Sequence, residues 1–259
     1  MLELKYYTKT MKNRPKKSSF LRGTRADRRM PHRNAAERAY STNRYTLVWN
    51  TGAENRVIFS SKEDFDRFEA YLYLLNSRES PRVSNFFSGS REHNIFETGR
   101  GERLVAIGAY AYTPKSFYIL IKHLNADGLS KFMQKLQTAY TMYFNKKYAH
   151  RGRLFHSAYI PEDATSEEHL KYLLSLVHLS PASLFSDDWM SAGEGELLTF
   201  AFRAMQYRYS SAGEYIKKKF IIVDPTEFPD YFLRTRDATV SAKHWIRFKK
   251  KLRLDPDRE

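Results

Sequence analysis

Residues 104–121 read LVAIGAYAYTPKSFYILI. Two apolar runs rich in β-branched and aromatic residues, Leu104–Tyr112 and Ser116–Ile121, flank the turn tripeptide Thr113-Pro114-Lys115. Proline has no N–H for a sheet ladder, so the break falls there and the pair reads as two strands around a turn. Working outward, Tyr45–Trp49 has the same strand composition and is broken by Asn50-Thr51-Gly52. Phe65, Phe68, Tyr71, Leu72 and Leu75 recur at helical spacing behind a Ser61/Asp64 capping signal, which predicts an amphipathic helix over 62–76. Downstream, Leu129, Phe132, Met133, Leu136, Tyr140 and Tyr143 mark a second helix over about 127–147. A strand is expected over Leu154–Ile160. A third helix starts after Ser166 and stops near Ser180, before Pro181.

That order, strand-helix-strand-strand-helix-strand-helix, predicts an α+β fold: an antiparallel sheet with helices mainly on one face, plus a C-terminal helical extension. The expected organisation is a basic arm over 1–44, a core over 45–190 with a polar insertion at about 77–102, helical stretches near 194–206 and 211–219 within 191–233, and a basic tail over 234–259. The arm carries Arg22, Arg25, Arg28 and Arg29 among few acids and few large apolar residues.

Charge dominates the composition. With 44 Lys+Arg against 29 Asp+Glu the chain has a formal charge of +15, which favours polyanionic partners because each neutralised phosphate releases condensed counterions. At 15% aromatic residues the chain also suits base stacking, and at 42% hydrophobic it can bury a real core. The absence of cysteine excludes a disulfide framework, a thiolate zinc site and a cysteine nucleophile. No apolar run approaches the ~18 residues needed to span a bilayer. With no signal-peptide core at the start, the expectation is a cytoplasmic or nucleoid-associated protein without a membrane partner.

Six ordered landmarks across about 45–232 resemble the single-tyrosine HUH transposases, in particular the branch associated with repetitive extragenic palindromes. They are Asn50-Thr51-Gly52 ahead of Val57-Ile58-Phe59, Tyr112–Leu120, Leu129–Gln134 leading to Tyr143-Phe144-Asn145, Arg151–Phe155, Val177–Pro181, and Tyr207–Ser211 followed by Tyr215. The resemblance implies a ferredoxin-like HUH core and hairpin or single-stranded DNA as ligand, with RNA left open. It also implies a monomer or homodimer. In that family two His on alternate strand positions hold a divalent cation, and a helix Tyr attacks phosphorus to form a 5′-phosphotyrosine.

Carried across, the two His positions fall on Ser116 and Tyr118, the nucleophile on Leu176 and the polar helper on Ser180. A neutral hydroxyl is a weak metal ligand beside imidazole, tyrosine is protonated at neutral pH, and leucine has no nucleophile. The expectation is therefore a transposase-derived binder without strand cleavage and without cofactor. The alternative is an active transposase with a rearranged site, for which Tyr172, one helical turn before Leu176, is the fallback nucleophile and Mg²⁺ or Mn²⁺ the cofactor. A third reading is an RNA-binding or scaffolding module. His123, His156, His169 and His178 have no recognised ligand spacing, and Tyr172 also fits the apolar stripe of Leu173, Leu176 and Leu179. The expected phosphate contacts are the four arm arginines, Lys131 and Lys135 on the second helix, and Arg151 and Arg153 in the basic turn.

Overall fold

The computed structural model describes residues 44–79, 86–87, 95–234 and 237–254. The expected phosphate contacts Arg22, Arg25, Arg28 and Arg29 therefore lie outside the described residues. The core runs β1 (Tyr45–Thr51), α1 (Lys62–Leu74), β2 (Val105–Thr113), β3 (Ser116–His123), α2 (Gly128–Lys147) and β4 (Ile160–Asp163). Sheet order is β2-β3-β1-β4 with every neighbouring pair antiparallel, the α+β class expected and a split β-α-β arrangement. Helix α1 carries the chain from β1 past one strand position, and the Thr113–Ser116 turn brings β3 back into the gap.

Cross-strand partners share a face, so Val48, Ile119 and Tyr110 lie in one row and Asn50, Phe117 and Tyr112 in the next. An aromatic wedge binds this face to α1 and α2. Phe68 meets Phe117, Tyr112 and Tyr140 at ring-centroid distances of 5.4, 5.3 and 5.1 Å, and Phe59 meets Phe65 and Tyr140 at 5.0 and 5.2 Å. Leu47, Leu120, Ala109 and Ala111 point the other way and are also fully buried. The second face is therefore closed as well. Helix α3 (Glu167–Leu179) packs on β2 and β3, and α4 (Glu194–Met205) and α6 (Ala238–Leu254) pack on α3. A short helix, α5 (Ala212–Lys217), lies between α4 and α6 in sequence.

The insertion leaves and returns at one point. Asn76 donates to Val105 O at 2.9 Å and accepts from Leu104 N and Val105 N at 3.1 and 3.0 Å, so the end of α1 is clamped to the start of β2 whatever lies between.

Two expectations are corrected. The last core strand is Ile160–Asp163 rather than Leu154–Ile160. The buried Asn50 amide donates to Ser157 O and Ala158 O at 2.8 and 3.3 Å, which takes these carbonyls out of the ladder, and pairing resumes only at Trp49–Ile160. The basic stretch 234–259 is not all tail. Ala238, Ala242 and Trp245, spaced i, i+4, i+7, form a buried stripe on α6 beneath the basic residues. One hydrophobic cluster runs from Leu47 to Trp245, so the C-terminal extension belongs to the same packed body.

Two buried polar groups tie the helices in place. Asp64, fully buried at the start of α1, accepts from Ser60 N and Ser61 N (2.8 and 3.0 Å), Tyr143 and Tyr148 hydroxyls (2.8 and 2.7 Å) and Lys147 Nζ (2.8 Å). Burial alone would raise its pKa, but these donors together hold it below the usual carboxylate value. His178 on α3 is fully buried, its Nε2 lies 3.0 Å from Ser211 Oγ, and Ser211 Oγ accepts from Tyr110 N of β2. Burial pushes the His178 pKa down to about 4.

Asp64→Asn replaces an acceptor-only group with an amide facing N–H donors, and is expected to cost about 3 kcal/mol, read as a lower urea midpoint at unchanged m. For His178, the unfolded chain takes up a proton below about pH 6.5 while the folded chain does so only below about 4. Stability therefore falls as pH drops through that window, by about 1.4 kcal/mol per pH unit from this group alone. His178→Gln should flatten that slope by one proton; an unchanged slope in pH-dependent urea melts would rule the assignment out.

Candidate nucleic-acid interface

Three segments meet at the end of the sheet where β1 stops and β3 starts. The chain after β1 is held to the Pro114 turn by Gly52 N–Lys115 O (3.0 Å), Ile58 N–Pro114 O (2.8 Å) and Phe59 N–Pro114 O (3.1 Å). It is held to the stretch after α2 by Ala53 N–Leu154 O and His156 N–Thr51 O, both 2.9 Å. Helix α2 itself ends in a Schellman-type closure, with His150 N donating to Asn145 O at 3.0 Å. Asn145 also binds His150 Nδ1 at 2.8 Å and Gly152 O at 3.1 Å, which fixes the basic turn.

The resulting rim is positive. Across 51–58, 113–116 and 149–157 stand Arg56, Lys115, Arg151 and Arg153, with His150 and His156, against one acid, Glu54. Lys115, Arg151 and Arg153 are exposed and Arg56 is half-buried. Among the described residues none of the four cations has an acidic partner. The backbone here is also strained: Glu54, Asn55 and Ala149 have φ of 55°, 61° and 48°, where L-residues other than Asn pay a steric cost of roughly 1–2 kcal/mol. Such strain persists only where surrounding contacts over-determine it and clusters at working sites.

The four expected cations of the described chain divide in two. Arg151 and Arg153 sit on this rim. Lys131 is ion-paired with Asp127 one turn away, and the Lys135 ammonium donates to Ser77 O and Glu79 O, both at 2.8 Å, fastening the start of the insertion to α2. Arg56 and Lys115 were not among the expected contacts. Their signal is tertiary, because each is a lone cation in its own segment.

The transposase positions are all accounted for by packing. The hydroxyl of Ser116 bonds Thr113 Oγ1 at 2.9 Å, across the hairpin turn. Tyr118 stacks on Trp49 with centroids 6.0 Å apart, and burial pushes its pKa up to about 12. Leu176 is 4% exposed within the core. Ser180, buried at the C-cap of α3, gives its hydroxyl to Val177 O at 2.8 Å. These residues do not fit a divalent cation: two committed hydroxyls and a protonated phenol supply no strong ligand. Among the described residues no three of His, Asp and Glu converge to hold a metal ion.

The fallback nucleophile Tyr172 is 5% exposed and stacks on Trp245 and Phe248 of α6 at 4.8 and 4.4 Å. Serine 211 and His178 form a hydrogen-bonded pair, but both are completely buried, so the pair is a structural link between α3 and β2 rather than a reacting dyad. No helix among the described residues is long and apolar enough to cross a membrane.

No protein-family model matches the sequence, and no curated protein matches it significantly. Among solved structures, a REP-associated tyrosine transposase bound to a REP hairpin is similar over 73% of this chain and 90% of its own, at 8% sequence identity and a TM-score of 0.41. A likeness of that depth leaves the function to be argued from this chain's own residues.

Proposed function

We propose that this chain binds nucleic acid, hairpin or single-stranded DNA foremost, through the basic rim, and that it does so without cutting the strand. The observation that carries the reading is the convergence of Arg56, Lys115, Arg151 and Arg153 from three separate segments, without acidic partners among the described residues. Cations that served only solubility have no reason to be gathered by backbone hydrogen bonds onto one strained rim. The choice of DNA rests on the ordered sequence landmarks of the transposase family, and the loss of cleavage on the residues that occupy its reactive positions. Backbone phosphates are the natural partners of such a rim, since arginine and lysine on loops position a duplex or strand without reading bases.

Removing charge from the rim should therefore act on affinity through salt. In a titration of a fluorescent hairpin with a single-stranded flank, the Arg56→Ala, Lys115→Ala, Arg151→Ala, Arg153→Ala variant is expected to lower the slope of log K against log salt by about 3, the loss of four phosphate contacts. Denaturing gels of the same samples with Mg²⁺ or Mn²⁺ should show neither a nick nor a covalent adduct. Unchanged affinity and slope would sink the rim as the interface, a metal-dependent adduct would overturn the loss of cleavage, and stronger competition by structured RNA would overturn the choice of DNA.

A further inference from the structure

The segment after α4 runs along the outer edge of β2. Tyr112 N donates to Tyr209 O, Ser211 N donates to Tyr110 O, and Ala111 and Ser210 form a bridge. The stretch 205–222, with Glu69 of α1, Phe96 and Tyr110, lines a groove of about 650 Å³, within the range of small-ligand sites. It shares none of its residues with the basic rim.

Its chemistry is uneven in an informative way. Two carboxylates reach it, and both are satisfied from within. Glu69 is held by both terminal nitrogens of Arg208 at 3.0 and 3.1 Å. Glu214 accepts from the Tyr110 hydroxyl and from the backbone N–H groups of Ile221, Ile222 and Val223. What remains facing the space is cationic, aromatic and amide, beside an aliphatic wall of Met205, Ile216, Ile221 and Ile222. Lys217 and Lys219 are exposed and have no acidic partner among the described residues. The Arg208 side chain is 65% exposed although its tip is paired. Phe96 and Tyr207 supply ring faces, and Gln206 an exposed amide able to donate and accept.

We propose that this groove is a site for one nucleotide, an aromatic base carrying a phosphate. The base lies against Tyr207 and Phe96, Gln206 meets its polar edge, and Lys217 and Lys219 take the phosphate. Stacking on aromatic side chains beside a cationic track is how single strands are held without sequence preference. An apolar ligand would leave the lysines idle, and a bare phosphate would leave the rings unused. The same chemistry is offered by an unpaired nucleotide flanking a hairpin and by a free nucleoside monophosphate.

The test uses the full chain and three probes: dAMP alone, a labelled blunt hairpin, and the same hairpin with four unpaired nucleotides. The expected result is that dAMP binds, or that the flank tightens hairpin binding, and that Tyr207→Ala weakens this effect about tenfold, the loss of one stacked base. Blunt-hairpin affinity stays unchanged in that variant. Tyr207→Phe keeps the ring and should rescue, and the exposed Lys217→Ala, Lys219→Ala pair gives a second route that leaves the core untouched. A flank effect without dAMP binding identifies the strand as the source; dAMP binding without a flank effect identifies the free nucleotide. Failure of the unaltered chain to bind either hairpin, with dAMP still bound, would reject the rim and keep the groove. No dAMP binding together with equal affinity for both hairpins, or indifference to Tyr207→Ala, overturns the groove.

Discussion

A carboxylate with no solvent exposure is expensive unless every lone pair is met, and Asp64 meets the requirement with five donors from two separate segments of the chain. Two come from the backbone ahead of α1. Three come from the last turns of α2, where Lys147 also reaches Glu63 and the Ser61 hydroxyl. The N-terminus of one helix is thereby fixed to the C-terminus of the other, a pairing that the helix dipoles favour because each end carries the complementary partial charge. The aromatic wedge beneath can interdigitate only because that distance is set. Tyr140 shows the coupling: its ring packs on Phe59 and Phe68 while its hydroxyl reaches Ile58 O at 2.6 Å, in the segment that runs toward Asp64.

The basic rim inherits its position from the same anchor. Tyr148 is bonded to Asp64 and is the C-cap of α2, and the next residues are the strained Ala149 and the Asn145-braced turn carrying Arg151 and Arg153. The proposed binding and strand cleavage would make different demands on such an arrangement. Cations on loops require only that the loops be held, whereas metal-assisted attack requires particular donors on the sheet and on α3. At Ser116, Tyr118, Leu176 and Ser180 the side chains instead close a turn, stack, fill the core and cap a helix. Each of these roles stabilises the scaffold on which the rim stands.

Much of the scaffold is legible in the chain itself, since the β2–β3 hairpin, α1 and α2 are fixed by local periodicity and a turn proline. The basic turn Arg151-Gly152-Arg153 is legible as well, as two cations flanking one glycine. What local reading misses is set by single side chains acting across the fold. Asn50 moves the last strand by capturing two carbonyls over a hundred residues away, Lys135 is tied down by two backbone oxygens, and the segments of Arg56 and Lys115 are brought together only through Gly52 and Pro114. The α6 stripe of Ala238, Ala242 and Trp245 is hidden by the charge around it, because two alanines add little to any apolar periodicity.

The outer edge of β2 adds a constraint on synthesis. Its ladder groups are met by Tyr209 and Ser211, with Tyr110 N and Ser211 Oγ paired across 101 residues of sequence. A nascent chain that has completed all four strands still presents this edge bare, with the apolar β2 residues beside it, until the segment beyond α4 has left the ribosome. An uncovered edge strand is a template for pairing with another chain. The segment around Ser211 thus closes an edge that the four strands alone leave open, so the sheet is complete only once that late segment has docked.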